Sequence, residues 1–227
     1  MTLAILIPAR NEEKHITQVI KNIPKKITGI SKKTIFLIDD GSSDKTAELA
    51  KKAGAKVLTM MINQGVGTAT VTGIEAAKII DADIALTLDG DGQHDPKEIN
   101  KIVSLIIRDK YDVVLGARLL DRKQMPLHKI IGNSIMNWVT YVLVGLWVKD
   151  SQSGFKGFSK KAFQQFKLTS SGYEICSEII GEIKRLKLKY TELPVKTIYS
   201  DHSRKKGQFS LNAVNIIIKL IVKSLTG

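Results

Sequence analysis

Cysteine is nearly absent from this sequence. Cys176 is the only one in 227 residues, so an intrachain disulfide bond is excluded and a reducing compartment is favoured. The N-terminal residues also lack the basic start and the cleavage site of a secretory signal peptide. Their apolar character predicts a first buried strand instead, and we expect the protein to work in the cytoplasm.

Aromatic residues are scarce as well, and low-complexity runs, internal repeats and recognisable nucleic-acid-binding motifs are missing. Aromatic side chains make up 6% of the chain, whereas the formal net charge is +13. This excess of positive charge implies an anionic partner, which could be nucleic acid, anionic lipid or a phosphorylated small molecule. Because the motifs are missing and aromatics are few, we expect no nucleic-acid partner, and a basic nucleic-acid-binding module is only a remote alternative.

The first half of the chain alternates short apolar runs with helical patterns. Near-continuous apolar runs are typical of strands in a parallel sheet that is covered on both faces. The predicted strands are residues 3–7, 34–38, 56–60, 84–88 and 113–115, and the predicted helices are 13–22, 45–53, 69–80 and 96–108. Asp44 and Asp95 are the predicted N-caps of the second and fourth helices. The alternation predicts an α/β domain with an open sheet flanked by helices, and the length allows one such domain.

Polar clusters follow four of these strands. They occupy residues 8–13, 39–44, 89–95 and 116–118. Ligands of open α/β sheets bind beyond the carboxyl ends of the strands. The clusters therefore predict a binding site at that edge of the sheet.

The strongest chemical signal is a pair of carboxylates, Asp89 and Asp91, directly after a predicted buried strand. Two ionised carboxylates held this close repel each other unless a divalent cation lies between them. Carboxylate oxygens and the Gln93 amide suit Mg²⁺ or Mn²⁺, and Gly90 lets the backbone approach a ligand. An isolated Asp-x-Asp fits a solvated acidic turn equally well. The placement after a buried strand, with a second acidic cluster that begins at Asp39 after a neighbouring strand, favours the metal site over the solvated turn. The metal would bind a diphosphate.

The second half contains an uncharged stretch. No residue from 130 to 148 is charged, and Asn133, Asn137 and Tyr141 recur every four residues. This spacing predicts a helix with a polar stripe on one face. Such a helix could lie in a bilayer interface or in the core of the protein.

The C-terminal residues form a second apolar stretch with a basic face. The polar side of the predicted helix carries Asn212, Asn215, Lys219 and Lys223. This helix could dock on the core or contact a membrane surface. We therefore divide the chain into a main domain of residues 1–209 and a C-terminal amphipathic helix of residues 210–227.

Four segments resemble, in order and spacing, the signatures of glycosyltransferase family 2, which has the GT-A fold. They are Ile-Pro-Ala-Arg-Asn-Glu-Glu at 7–13, Ile-Asp-Asp-Gly-Ser-Ser-Asp at 38–44, Asn-Gln-Gly-Val-Gly at 63–67 and Asp-Gly-Asp-Gly-Gln-His at 89–94. Further matches are Gly-Ala-Arg at 116–118, Ser-Gly-Phe at 153–155 and Glu-Leu-Pro-Val at 192–195, with Arg204 and Gly207. These narrow the resemblance to the dolichyl-phosphate mannose synthase branch, which makes polyprenyl-phosphate sugars. The resemblance implies an open mixed sheet that binds a nucleotide-sugar.

The resemblance also implies roles on the donor side. The residues that would border the nucleotide are Pro8, Ala9, Arg10 and Glu12, with Asp39 on the base. Asp89, Gly90 and Asp91 would serve the diphosphate and its metal. Gln93 would be a further ligand of that Mg²⁺ or Mn²⁺.

On the acceptor side, the resemblance implies that Arg118 and Arg204 grip a phosphate and, with the two aspartates, carry the reaction. Lys129 stands where an acceptor-binding arginine is expected, and it keeps the charge but loses the bidentate fork. The Ser-Lys pair usual after Gly207 is replaced by Gln-Phe-Ser. Lys206, or Lys205 beside it, could substitute for that lysine.

Two motifs that relatives use with sugar acceptors are missing. One is the Glu-Asp dipeptide that supplies a general base, and the other is the Gln-x-x-Arg-Trp motif of processive members. A sugar hydroxyl needs such a base, whereas a phosphate monoester is largely a dianion at pH 7. We therefore predict metal-dependent transfer of one sugar from GDP-mannose, UDP-glucose or UDP-N-acetylglucosamine to a polyprenyl (dolichyl) phosphate, with the inversion that the resemblance implies.

We expect this protein to act peripherally at the cytoplasmic face of a membrane. Transfer to a sugar hydroxyl of a glycolipid or cell-envelope polymer is the alternative.

Overall fold

A seven-stranded sheet forms the centre of the computed structural model, which describes residues 1–118 and 127–198, with the backbone alone at 127–129. The strands are β1 (Thr2–Ala9), β2 (Lys32–Asp39), β3 (Lys56–Thr59), β4 (Ile84–Thr87), β5 (Val113–Ala117), β6 (Lys156–Ser159) and β7 (Tyr190–Pro194). Their order across the sheet is β3-β2-β1-β4-β6-β5-β7. The sheet is mixed, because β6 runs antiparallel to β4 and β5 while the other neighbours are parallel.

Helices cover both faces of this sheet. Those in the described residues are α1 (Ile16–Asn22), α2 (Thr46–Lys52), α3 (Val66–Ile79), α4 (Ile99–Ile107), α5 (Leu127–Val144), α6 (Lys160–Gln165) and α7 (Ile175–Arg185). Side chains of β1 enter two cores alternately, as the pleat of a strand requires. Leu6 packs in the core that includes α3, α6 and α7, whereas Ile5 packs in the core that includes α1 and α4.

All five predicted strands are present, with ends within two residues of the predicted ones. The predicted helices are present too, but α1 begins at Ile16 rather than residue 13, and α3 begins at Val66 rather than residue 69. Gly65, with a φ of 97°, ends the loop before α3 in a conformation that favours glycine, so the helix can begin directly after it.

The two predicted N-caps differ in outcome. Asp95 accepts a hydrogen bond from the Lys97 backbone N–H at 3.0 Å and is followed by a 3₁₀ turn, Pro96–Glu98, that leads into α4. The N-cap position of α2 is Lys45, one residue after the predicted Asp44. The Asp44 carboxylate still accepts from the Thr46 backbone N–H at 2.9 Å, so it stabilises the first turn of that helix.

The uncharged stretch of the second half forms most of α5. Its predicted polar stripe does not lie in one environment, because Asn137 is 4% exposed whereas Tyr141 is 45% exposed. Residues four apart in a helix rotate by about 40° relative to each other, so the stripe drifts from the buried side to the surface. None of the helices in the described residues combines the length and apolarity needed to span a bilayer.

Residues 210–227, with the proposed domain boundary at 209, lie outside the described residues.

Candidate active site

The loops that follow β1 and β2 are joined at the carboxyl edge of the sheet. The Asn11 backbone N–H donates to Ser42 Oγ at 3.0 Å, and the Ser43 backbone N–H donates to Asn11 Oδ1 at 2.9 Å. The Glu12 backbone N–H donates to Thr46 Oγ1 at 2.7 Å. These contacts give the predicted nucleotide-binding segments a fixed relative position.

Asp39, the last residue of β2, and Asp40, which directly follows it, make different contacts. Asp39 Oδ1 accepts from the Ser42 backbone N–H at 3.1 Å, within its own loop. The two oxygens of Asp40 accept from the backbone N–H groups of Gln64 and Gly65, at 2.7 and 2.9 Å. Asp40 therefore ties the β2 loop to the start of α3, a structural role that the sequence analysis missed.

Two of the residues predicted to border the nucleotide, Ala9 and Glu12, lie beside the acidic loop after β4. Ala9 is buried, and its Cβ would be 3.0 Å from a Cβ placed at Gly90. Glu12 is buried and close enough for its charge to act on Asp91. Pro8 is partly buried and Arg10 is exposed. Asp39 lies two strands from this loop, since β1 separates β2 from β4.

Asp89 is held from two sides. Its Oδ2 lies 3.2 Å from Nε2 of the buried His94, and a Cβ placed at Gly154 would overlap its carboxylate, so the backbone of Gly154 packs directly against it. Burial alone would raise the pKa of Asp89. The hydrogen bond of His94 and the positive charges of Arg118 and Lys156 outweigh that effect and lower this pKa below its ordinary value. Asp89 is therefore ionised at neutral pH.

The environment of Asp91 shifts its pKa in the opposite direction. Burial and the negative charge of Asp89 raise the pKa of Asp91, and the charge of Glu12 adds to the rise. Gln93 folds back on this carboxylate, with its backbone N–H donating to Asp91 Oδ1 at 2.9 Å and its side-chain amide to Oδ2. The two aspartates thus interact unfavourably when both are ionised.

A divalent cation would remove this conflict. The described residues contain no group of three or more His, Cys, Asp or Glu side chains arranged to hold a metal. However, Mg²⁺ is usually held by one or two carboxylates together with substrate phosphates and water. The Asp89–Asp91 pair and the Gln93 amide are hard oxygen donors of this type, so the residues present fit Mg²⁺ or Mn²⁺.

Arg118 is fixed by a buried carboxylate that the sequence analysis missed. Asp150 accepts from the Arg118 backbone N–H, Nε and Nη2, at 2.9, 2.8 and 3.0 Å. Burial would raise the pKa of Asp150, but the charge and hydrogen bonds of Arg118 lower it below its usual value. The positive charge of Arg118 also lowers the pKa of Asp89, so Arg118 interacts electrostatically with the acidic loop.

Lys156 supplies a second buried cation at the start of β6. Its ammonium donates to the Ser153 carbonyl oxygen and lies 3.6 Å from Cys176 Sγ. Its charge helps to lower the pKa of both Asp89 and Asp150. Both Lys156 and Asp150 flank the predicted Ser-Gly-Phe motif, which was the available signal for them.

Four predicted acceptor-side groups belong to the undescribed part of the chain. Arg204, Lys205 and Lys206 lie outside the described residues, and so does the side chain of Lys129. The described part of the site therefore brings together the acidic loop, the β1 loop and Arg118.

The chain was compared with known proteins. The sequence model of a family described as Glycosyl transferase family 2 matches residues 4–166. An uncharacterised protein of Methanocaldococcus jannaschii is 41% identical over 97% of this chain and 91% of its own length. A Methanococcus voltae protein is 36% identical over 96% of this chain and 94% of its own length. That relative is named UDP-N-acetylglucosamine–dolichyl-phosphate N-acetylglucosaminyltransferase.

A solved structure shares the architecture. Glucosyl-3-phosphoglycerate synthase from Mycobacterium tuberculosis, in complex with Mn²⁺, UDP and glucosyl-3-phosphoglycerate, aligns with a TM-score of 0.72. The alignment covers 99% of this chain and 78% of that one, at 18% identity. At this identity the likeness shows the fold alone, and it confirms the GT-A type of mixed sheet that the sequence predicted.

Proposed function

This chain belongs to glycosyl transferase family 2, and from that membership we propose that it moves a single sugar from a nucleotide-sugar onto the phosphate of a polyprenyl (dolichyl) phosphate. The Methanococcus voltae relative supports this acceptor, because its name specifies dolichyl phosphate and it matches this chain over nearly its whole length. The same name makes UDP-N-acetylglucosamine the first donor to test. GDP-mannose and UDP-glucose are the next.

The observation that carries the proposal is a fixed cation beside the carboxylate pair. Arg118 is held by Asp150 through three hydrogen bonds and acts electrostatically on Asp89. A preorganised guanidinium next to a diphosphate site suits an anionic acceptor, because charge-assisted contacts with phosphate are strong and directional. A neutral sugar hydroxyl would gain little from it.

In the proposed reaction an acceptor phosphate oxygen attacks the anomeric carbon while the bond from that carbon to the nucleoside diphosphate breaks, with inversion. The acceptor needs no general base, because a phosphate monoester is largely a dianion at pH 7. The acceptor phosphate would be oriented by Arg118, Lys129, Arg204 and Lys206. Asp89, Asp91 and Gln93 would hold Mg²⁺ or Mn²⁺, which when bound neutralises the charge of the departing diphosphate.

The remaining donor contacts are proposed from the family resemblance. Pro8, Ala9, Arg10 and Glu12 would border the nucleotide, with Asp39 on the base and Gly90 close to the diphosphate. The lipid acceptor places the enzyme at the cytoplasmic face of a membrane, with residues 1–209 as the catalytic domain and residues 210–227 as an amphipathic helix.

A transfer assay with radiolabelled donors tests the proposal. Each donor is offered with Mn²⁺ and either a polyprenyl phosphate or a glycolipid that presents only sugar hydroxyls. We expect label in the polyprenyl phosphate fraction, and loss of that label in Asp91→Asn and in excess chelator. Label in the glycolipid alone would contradict the polyprenyl phosphate acceptor and support transfer to a sugar hydroxyl. Full transfer by Asp91→Asn would contradict the assignment of Asp91 as a metal ligand.

A further inference from the structure

The Glu-Leu-Pro-Val motif places Glu192 in β7, beside the strand that leads to Arg118. Strand β7 pairs in parallel with β5, with Glu192 opposite Leu115 and Pro194 opposite Ala117. Arg118 directly follows Ala117 in the chain. The proposed reaction assigns no role to this motif, although its acidic side chain lies near the proposed acceptor half of the site.

One face of β7 contacts the backbone of the segment between α5 and β6. Side chains two residues apart in a strand point to the same face. Tyr190 Oη donates to the Trp147 carbonyl oxygen at 3.5 Å, and Glu192 Oε1 accepts from the Lys149 backbone N–H at 2.6 Å. A backbone hydrogen bond from Asp150 to the same carboxylate lowers the pKa of Glu192 as well. Glu192 therefore holds the backbone at Asp150 from the β7 side.

The same backbone is held from α5 by Asn137. The Asn137 side-chain amide donates to the Lys149 carbonyl oxygen at 2.6 Å, and its Oδ1 accepts from the Ser151 backbone N–H at 2.8 Å. Together, Asn137 and Glu192 engage the peptide groups on both sides of Asp150. The segment is therefore hard to displace, because a shift would leave several polar groups without partners.

These contacts position the carboxylate that binds Arg118. The Asp150 side chain has no exposed area and accepts from the Arg118 backbone N–H, Nε and Nη2 at 2.9, 2.8 and 3.0 Å. A guanidinium held by a carboxylate in this way has a fixed direction. That direction is only as precise as the position of the carboxylate, so a shift of the Asp150 backbone would move Arg118 too.

A negative charge at Glu192 is unfavourable unless these backbone contacts compensate for it. Burial raises the pKa of Glu192, and the negative charge of Asp150 adds to the rise. Hydrogen bonds from the backbone of Lys149 and Asp150, and the charge of Lys149, lower it in part. An apolar side chain at this half-buried position would avoid the cost of burying a charge. Acceptance of hydrogen bonds from the backbone at Asp150 is what the carboxylate adds.

We propose that Glu192 is a positioning residue, which holds the backbone of Asp150 so that Asp150 directs the Arg118 guanidinium at the acceptor phosphate. The part of this role that concerns the acceptor rests on the proposed function. The link from Glu192 through Asp150 to Arg118 is measurable without any turnover.

NMR of the arginine Nε–H groups tests this link. The Arg118 signal of the isotope-labelled full chain is identified by its loss in Arg118→Lys. We expect slow exchange with water in wild type, because this Nε–H donates to a buried carboxylate. Exchange should be at least about tenfold faster in Glu192→Ala, since the Lys149 N–H loses its acceptor and the segment opens more readily. Glu192→Gln keeps one acceptor oxygen but replaces the other by a donor, so its rate should be intermediate.

Steady-state kinetics test the role in acceptor binding. Glu192→Ala should raise the KM for polyprenyl phosphate at least about tenfold, because a small displacement of the guanidinium weakens the contact with the acceptor. The donor KM should stay within about twofold of wild type, because the link from Glu192 leads to the proposed acceptor half of the site.

Glu182→Gln is the matched control. The Glu182 carboxylate also accepts from a backbone N–H, that of Lys167 at 2.8 Å, in a part of the chain that holds no proposed site residue. This variant should lose stability but keep the wild-type acceptor KM and the slow exchange of Arg118. Urea unfolding of all variants shows which are folded, and Glu192→Gln provides the comparison if Glu192→Ala does not fold.

Three results would overturn the positioning role. They are wild-type exchange of the Arg118 Nε–H in the folded Glu192 variants, equally fast exchange in Glu182→Gln, and a donor KM that rises as much as the acceptor KM. If the wild-type protein transfers no sugar to polyprenyl phosphate, the proposed function fails. The Arg118 signal then still decides whether Glu192 positions the guanidinium.

Discussion

Replacing Asp150 tests the proposed acceptor half of the site most sharply. Its carboxylate accepts three hydrogen bonds from Arg118 and one from the Gln152 backbone N–H at 3.2 Å. Asp150→Asn keeps the shape of the side chain but removes the charge and turns one acceptor group into a donor. Arg118 would then lose part of the carboxylate that holds it.

The loss of stability expected for Asp150→Asn depends on how deeply Asp150 and Arg118 are buried. Removing one partner of a fully buried ion pair costs about 3–5 kcal/mol. The Asp150 side chain has no exposed area, but that of Arg118 keeps 16%, so water can replace part of the lost contact. We therefore expect the free energy of unfolding to fall by about 2–3 kcal/mol. A shift of the guanidinium by about 1 Å would lower kcat/KM for the acceptor about 100-fold.

Steady-state kinetics with donor and acceptor varied separately, together with urea unfolding, measure both effects. We expect the acceptor KM to rise while the donor KM stays close to wild type, which a general loss of stability would not produce. Asp112→Asn is the control, because Asp112 also pairs with a cation, Lys161 at 3.0 Å, away from the site. The reasoning is refuted if Asp150→Asn is destabilised but has the acceptor KM of Asp112→Asn.

Three further changes test the donor half. Gly154→Ala should lower turnover at least about tenfold, because its Cβ would displace the Asp89 carboxylate; a wild-type rate would contradict that contact. Asp91→Asn should raise the thermal midpoint of the metal-free protein at pH 7, because the raised pKa of Asp91 means that its ionised form destabilises the fold. The gain should shrink as the pH falls through the raised pKa of folded Asp91 and vanish only below about pH 3, beneath the ordinary aspartate pKa of about 3.9, where Asp91 is protonated in both states; a pH-independent difference would refute this. Asp40→Asn should cost about 1–3 kcal/mol in urea unfolding and weaken nucleotide binding, since one of its two backbone donors loses an acceptor. Unchanged stability would contradict that role.

The parallel part of the sheet was predictable because its signal is local. Strands β1 and β4 are apolar runs that are buried on both faces of the sheet. Each is followed by polar residues at the carboxyl edge. The acidic loop could be located for the same reason. Charge and apolar character along a few residues were enough.

The second half of the sheet depends on distant pairings. Strand β6 has four residues and begins with a lysine, so its sequence does not indicate a buried strand. It is a strand because it fits antiparallel between β4 and β5, which supply hydrogen bonds from both sides. The Arg118–Asp150 pair joins residues 32 apart, and nothing local indicates that contact.

The orientation of α5 was equally hidden from the sequence. An apolar majority with a thin polar stripe usually buries its apolar side. Here Asn137 and Thr140 find buried partners in Ser151 and Ser177, which lie elsewhere in the chain. They share the buried side with Met136, while Ile135 and Trp138 are left exposed. Only the tertiary contacts decide between the two orientations.

Calorimetric titration of Mn²⁺, with and without UDP, tests the central claim that Asp89 and Asp91 together bind one divalent cation for a nucleoside diphosphate. We expect one site in the wild-type protein, with UDP and Mn²⁺ each strengthening the binding of the other. Asp91→Asn should bind Mn²⁺ about tenfold or more weakly, whereas Asp112→Asn should match wild type. Equal Mn²⁺ affinity in wild type and Asp91→Asn, with UDP present, would contradict the claim.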